Sequence, residues 1–156
     1  MKKILIITQK VDMNDSSFGF FHDWLREFSK LAQVTVFALE VSEYDLPGVN
    51  VFSLGKDRGN NKLVWLFNLY RYALKWRHSY DTVFAHMSPL FVILPYPLFF
   101  LLRKRVVLWY VHRNVDLKLC IAEKLVSKAF TATKESFGIE SKKVVYMGQA
   151  VDVDRF

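Results

Sequence analysis

One cysteine, six glycines and four prolines in 156 residues close off several architectures. Cys120 has no partner for an internal disulfide, so the chain is no disulfide-stapled scaffold and fits a reducing compartment. The glycines never form G-x-G-x-x-G, which disfavours a dinucleotide site of the usual kind. Acidic residues are scarce: fifteen Asp and Glu against twenty-two Lys and Arg leave a net charge of +7. That balance favours anionic partners, namely nucleic acid, phosphorylated small molecules or an acidic membrane surface. No nucleic-acid reader motif accompanies the charge, so a nucleic-acid partner is not expected.

Metal-ligand patterns are missing as well. Nothing has zinc spacing, and although Asp12, Asn14 and Ser16 imitate the start of a calcium loop, Ser17 falls at its sixth position, Asp23 at its twelfth, and a strand precedes it. No metal is expected. Met1-Lys2-Lys3 runs straight into ILIIT without a cleavage site, which predicts a buried first strand and no signal peptide. The expected location is cytoplasmic, with a peripheral place on the inner face of the cell membrane as an extension.

What is present is apolar. A hydrophobic fraction of 52% is enough to fill one domain's core, and an aromatic fraction of 16% combined with Lys and Arg suits a membrane-interface surface. The organising stretch is Arg105 to Asn114, RVVLWYVHRN: a β-branched and aromatic run that reads as a central strand buried on both faces and ends in His112, Arg113 and Asn114. Ligands of open α/β sheets bind beyond the carboxyl ends of the strands, so a histidine there is placed to meet a substrate; a loop histidine with satisfied hydrogen bonds is the plainer reading.

Taken in order, Lys3 to Thr8 predicts a strand and Gln9 to Ser17 a polar turn. A helix follows from near Phe18, with Ser16 or Ser17 as cap and Phe21, Trp24, Leu25, Phe28 and Leu31 as one stripe facing the sheet. Gln33 to Leu39 and Val49 to Leu54 predict strands two and three, Lys62 to His78 a long helix with a basic edge at Arg71, Lys75 and His78, and Tyr80 to Ala85 strand four. Pro89 to Leu102 is uncharged but too short to span a bilayer, and Pro95 and Pro97 break it. Two readings stand for it: a crossover helix buried against the sheet, or a segment that, with Arg103, Lys104 and Arg105, dips into a membrane interface. A helix from about Val115 to Lys128, a strand at Ala129 to Thr131, a helical turn at Lys134 to Phe137 and a last strand at Lys143 to Met147 complete the chain. The order predicts an α/β fold, a doubly wound and mostly parallel sheet with helices on both faces.

Two histidines, His86 and His112, then follow strands on one edge, and with the turn near Ser17 and Gly19 they can line one crevice. No nucleophile–base pair stands out, and Cys120 within its helical pattern reads as packing.

The last segment adds a resemblance. Residues 142–156, KKVVYMGQAVDVDRF, resemble the interdomain signature of family 4 retaining glycosyltransferases of the GT-B fold, v-x-x-G-x-G-[ILV]-D-x-x-x-F, on Gly148, Ala150, Val151, Asp152 and Phe156. FGFFHDWLREF, WYVHRN and FTATKESF are similar to that family's first helix, its strand ending in histidine and its serine-bearing turn. The resemblance implies residues 1–147 as a Rossmann-like acceptor-side domain and 148–156 as the start of an interdomain linker. It implies a C-terminal donor-binding domain as partner, in the same or a separate chain, and a nucleotide-sugar donor as co-substrate, with no resident cofactor or metal. On it His112 is the catalytic residue beside the donor hexose. Ser16, Ser17 and Gly19 face the diphosphate, and His86, Ser88, Arg113 and Asn114 lie on the acceptor side. The basic residues Arg71, Lys75, Arg103, Lys104 and Arg105 face an anionic membrane. A saccharide or lipid-linked acceptor follows, and this chain alone is expected to be inactive. The chain departs from the family in having one glycine in the first turn and Ala150 at the signature's second glycine. A non-catalytic membrane-recruiting subunit and a flavodoxin-like binding protein are the alternative readings.

Overall fold

Parallel strands carrying continuous β-branched runs need cover on both faces, because they alternate apolar side chains to each side. The computed structural model describes residues 1–59 and 61–148. Its seven strands are β1 (Lys2–Val11), β2 (Ala32–Val41), β3 (Asn50–Ser53), β4 (Thr82–His86), β5 (Arg105–Trp109), β6 (Lys128–Thr131) and β7 (Val144–Tyr146). They form one all-parallel sheet in the order β3-β2-β1-β4-β5-β6-β7. The doubly wound α/β fold expected from the sequence is therefore the fold observed.

The strand faces divide the core in two. Leu5, Ile7, Val83, Ala85, Val106 and Leu108 point to one side, where the helices α2 (Lys62–Lys75), α3 (Leu90–Ile93), α4 (Tyr96–Leu101) and α5 (Leu117–Leu125) bury Leu69, Ala73, Phe91, Phe99, Leu119 and Ala122 against them. Ile6, Val34, Val36, Phe84, Val107 and Trp109 point to the other, where α1 (Gly19–Leu31) inserts Phe21 and Leu25.

Local chemistry explains where the elements differ from expectation. β1 runs on to Val11 because Lys10 and Val11 pair with Glu40 and Val41. Neither Ser16 nor Ser17 caps α1: the Asp15 carboxylate accepts from the backbone N–H of Ser17 and of Phe18, at 2.8 Å each, and holds the turn instead. Leu31 does not join the buried stripe, because α1 ends there and the chain passes directly into β2, leaving the side chain exposed. α2 stops at Lys75, three residues before His78, and is capped at its start by the Asn61 side chain. The prolines divide residues 89–102 into α3 and α4, whose Phe91, Val92, Leu98 and Phe99 are buried while Leu90, Phe100 and Leu101 are exposed. The segment is thus buried against the sheet on one side, as the crossover reading expects, and exposed on the other. α5 is shorter than predicted, starting from the Asp116 cap at Leu117 and ending at Leu125. Gly148 takes a left-handed φ of 74°; Ala150, Val151, Asp152 and Phe156 of the signature lie outside the described residues.

Candidate functional site

The order of strands reverses between β1 and β4, the chain winding outward from β1 through β2 to β3 on one side and from β4 to β7 on the other. At such a switch point the loops after neighbouring strands part, and a crevice opens above the carboxyl ends. The β1–α1 loop, the β4–α3 loop and residues 110–116 after β5 all lie on this rim because the strands are parallel. β1 and β5 flank β4, so their exits stand about 10 Å apart, two inter-strand spacings.

His112 sits exposed on this rim. Its backbone N–H donates to the Ser136 carbonyl (3.1 Å), which ties the β5 exit to the β6 exit, and its ring meets the Tyr110 ring edge-on at 5.2 Å. Tyr110 is held in turn by its hydroxyl, which donates to the Asn114 carbonyl (3.0 Å). Burial, with Asp116 nearby, pushes the Tyr110 phenol up, so it remains a neutral donor. On the far side of the loop, Gly138 packs against Val115 so closely that a Cβ there would lie 2.5 Å from Val115 Cγ2. The imidazole is therefore presented to solvent from a braced backbone.

Arg113 and Asn114 are exposed beside it. Glu135 faces the same loop: its carboxyl is held below the usual range by its own backbone N–H, then by Thr133, with Arg113 adding attraction. Thr133 Oγ1 and Ser136 Oγ are 3.0 Å apart. Sequence reasoning assigned Glu135 and Ser136 no role; the hint available was the serine-bearing turn FTATKESF. An exposed imidazole among a carboxylate, hydroxyls and a guanidinium offers hydrogen bonds in both directions to a polyhydroxylated ligand.

His86 stands elsewhere. Expected at the acceptor border, it is fully buried: its Nδ1 is hydrogen-bonded to Thr8 Oγ1 (3.0 Å), and the Phe21 ring stacks on it at 3.7 Å and 12°. Burial lowers its pKa to about 3, so it is neutral, and its Nε2 has no hydrogen-bond partner among the described residues. The ring points into the interior because α1 folds over the end of β4. Ser88 is half-buried, and its carbonyl accepts from Phe91 at the start of α3.

The β1–α1 turn also differs from the expected phosphate cradle. Helix-start N–H groups attract anions, but here the Asp15 carboxylate takes those of Ser17 and Phe18, and its carbonyl takes that of Gly19. Lys10, the cation beside them, pairs with Asp15 at 2.7 Å and Asp12 at 3.1 Å. The Lys10 ammonium, then the two backbone donors, bring the Asp15 pKa down to about 2. The turn carries its own anion.

The five basic residues do not share one face. Arg71 and Lys75 are exposed on α2, next to the exposed Phe67 and Leu74. Lys104 is spoken for: its Nζ donates to the carbonyls of Arg77 and Tyr80, at 2.6 Å each, closing the end of α2. Arg103 and Arg105 stand at the amino edge of the sheet, opposite His112, on the rim of a groove. Among the described residues there is no group of three or more His, Cys, Asp or Glu that could hold a metal, and no helix long and apolar enough to cross a membrane.

No protein-family model matches the chain. No curated protein matches it either. Solved structures do. HepE (Alr3699) of Anabaena in complex with UDP matches with a TM-score of 0.62 at 15% identity, over 99% of this chain and 45% of that one. MurG of Acinetobacter baumannii matches with a TM-score of 0.59 at 10% identity, over 97% and 47%, and UDP-GlcNAc 2-epimerase of Methanocaldococcus jannaschii with 0.53 at 12%, over 92% and 45%. At these identities the likeness is one of fold, a GT-B-like Rossmann domain. The chain spans 45–47% of the length of these proteins.

Proposed function

We propose that this chain is the acceptor-side domain of a retaining, family 4-like glycosyltransferase, which moves a sugar from a nucleotide-sugar donor to a lipid-linked or cell-envelope saccharide. The observation that carries the reading is the exposed His112 imidazole on a braced loop at the switch-point rim, within a fold shared with 45% of the HepE chain, which was solved with UDP and with UDP-glucose. Retention requires a leaving diphosphate stabilised by fixed donors and an acceptor hydroxyl held against the anomeric carbon. One domain supplies one wall of such a cleft; the second wall is a donor-binding domain, in the same chain or another.

In this reading His112 contacts the transferring hexose, while Arg113, Asn114 and Ser88 border the acceptor. Because Asp15 occupies the first turn, the diphosphate is neutralised mainly by the companion domain, and Ser16, Ser17 and Gly19 shape the crevice floor. A peripheral place on an anionic membrane is part of the proposal. It is supported by the exposed Leu63, Phe67 and Leu74 on α2 and Phe100 and Leu101 on α4, with Arg71 and Lys75 among them. The same surface favours, as a second reading, a subunit whose task is to recruit a separate donor domain to the membrane.

The test is transfer of radiolabelled sugar from UDP-, GDP- and dTDP-sugars to lipid-linked and free saccharides. The chain alone transfers none; supplied with its donor domain it transfers, and His112→Ala removes at least 99% of the rate. Transfer by the isolated chain, or a rate indifferent to His112→Ala, contradicts the proposal, and transfer that merely loses vesicle dependence supports the recruiting reading.

A further inference from the structure

Charge is divided unevenly across the crevice. At the exits of β1 and β2 stand three carboxylates, Asp12, Asp15 and Glu43, and one ammonium, Lys10, which pairs with the first two. Glu43 is fixed beside them: its Oε2 accepts from the Asn14 side-chain amide (2.8 Å) and its carbonyl from the Met13 N–H (2.8 Å). Among the described residues Glu43 has no cation within ion-pair distance. This end of the crevice repels the negative charge of a ligand.

The exits of β5 and β6 are built differently. Arg113 is exposed there, and among the described residues it has no carboxylate within ion-pair distance and no hydrogen-bond partner for its guanidinium. The acids around it are occupied. Asp116 Oδ1 accepts from the Leu119 N–H (2.8 Å), and the Glu135 carboxyl is taken first by its own backbone N–H and then by Thr133, Arg113 adding a weaker attraction. Lys134, the next cation, pairs with Glu140 at 3.6 Å. The backbone beneath Arg113 is tied on both sides, by the His112 N–H to the Ser136 carbonyl and by the Tyr110 hydroxyl to the Asn114 carbonyl. A planar fork of uncommitted donors on a braced loop matches the paired oxygens of a carboxylate or a phosphate.

We propose that Arg113 sets the acceptor specificity of this domain: the saccharide it holds carries an anionic group, a uronate carboxylate or a phosphate ester, beside the residue that receives the sugar. The proposal rests on the reading of this rim as the acceptor side of a transferase, and it names the class of acceptor. The polarity of the crevice supplies the orientation. The exits of β1 and β5 are about 10 Å apart, so a bound anionic saccharide sets its charge against Arg113 and turns neutral hydroxyls towards Asp12, Asp15 and Glu43, which accept hydrogen bonds from them. The reverse orientation brings like charges together and leaves the guanidinium without a partner. Asn114, exposed next to Arg113, offers an amide to the same group.

The test titrates the intact chain with the methyl glycosides of glucose, galactose and mannose, each set against its uronide and its 6-phosphate, by calorimetry and on the His112 ring resonances. In low salt at least one anionic member binds roughly tenfold or more tightly than its neutral counterpart. High salt shrinks the advantage, Arg113→Gln removes it, and Arg113→Lys, which keeps the charge without the planar fork, retains part of it. Arg113 is exposed and its loop is held by backbone contacts, so the variants fold, which circular dichroism checks. A preference confined to the uronides or to the phosphates supports the proposal and identifies the anion. Equal affinity for anionic and neutral members overturns it, and leaves the acceptor reading standing where both move the His112 resonances. An anion preference that survives Arg113→Gln overturns it as well. So does inorganic phosphate that binds as tightly as a sugar phosphate and depends equally on Arg113, which makes the guanidinium a contact for the leaving diphosphate. Silence from every member overturns it together with the reading beneath it.

Discussion

Thr8 and His86, the first on β1 and the second on β4, are joined by a 3.0 Å hydrogen bond between Oγ1 and Nδ1 at the point where the sheet changes direction. Phe21 of α1 lies flat on the imidazole, so one buried contact ties two strands and a helix beneath the crevice. The ring is held neutral by burial alone, and its second nitrogen is unpartnered among the described residues.

That contact makes stability depend on pH. The folded-state pKa of His86, about 3, lies below the ordinary value of 6.5, so the unfolded chain binds a proton that the folded chain refuses. Stability is whole above pH 6.5 and falls as pH drops towards 3. Between pH 7 and 5 urea midpoints should record a loss of about 1–2 kcal/mol that His86→Gln abolishes. The same slope in wild type and variant contradicts it.

The self-neutralised first turn predicts a gain of binding. Asp15→Asn takes away one of the two carboxylates that neutralise Lys10, leaving Asp12, and weakens the hold on the N–H groups of Ser17 and Phe18. Isothermal titration with pyrophosphate should show at least tenfold tighter binding for Asp15→Asn than for wild type, and the gain should vanish in Asp15→Asn with Lys10→Ala. Wild-type pyrophosphate binding that depends on Lys10 contradicts the assignment.

Gly138→Ala tests how the His112 loop is held. The new methyl overlaps Val115 Cγ2, and a β-branched side chain has little freedom to give way. A destabilisation of about 1–3 kcal/mol is expected, with a shift of the His112 ring resonances, and Val115→Ala in the same chain should restore most of both.

The basic residues separate by role. Lys104→Met should lower stability by about 1 kcal/mol through loss of its two carbonyl contacts, and leave binding to anionic vesicles unchanged. Arg71→Glu with Lys75→Glu should leave the melting temperature within 2 °C of wild type, roughly what surface substitutions allow, and remove vesicle flotation.

Much of the fold was legible in the residues, and the reasons are local. KILIIT and RVVLWY announce doubly covered strands, and Pro95 marks the break between α3 and α4, with Pro97 in the first turn of α4. The candidate site was legible only in part. A histidine at the end of a strand run reads alike whether it is exposed on the rim, as His112 is, or lies beneath a helix, as His86 does, because the difference is made by Phe21 folding over β4 from far away in sequence. Lys104 likewise sits between Arg103 and Arg105 in a basic run, and only the end of α2, brought alongside by the fold, distinguishes it from them. Asp15 escaped notice because its capture of two N–H groups depends on the loop's shape, not on its composition.

The most direct measurement of the role given to His112 is a histidine-selective NMR titration of the intact chain with short saccharides, His86 serving as the buried internal reference. Movement of the His112 ring resonances on saturable binding, with His86 unmoved, is the predicted result. Saturable saccharide binding that leaves His112 where it was, or no binding by any member of a broad saccharide panel, contradicts it.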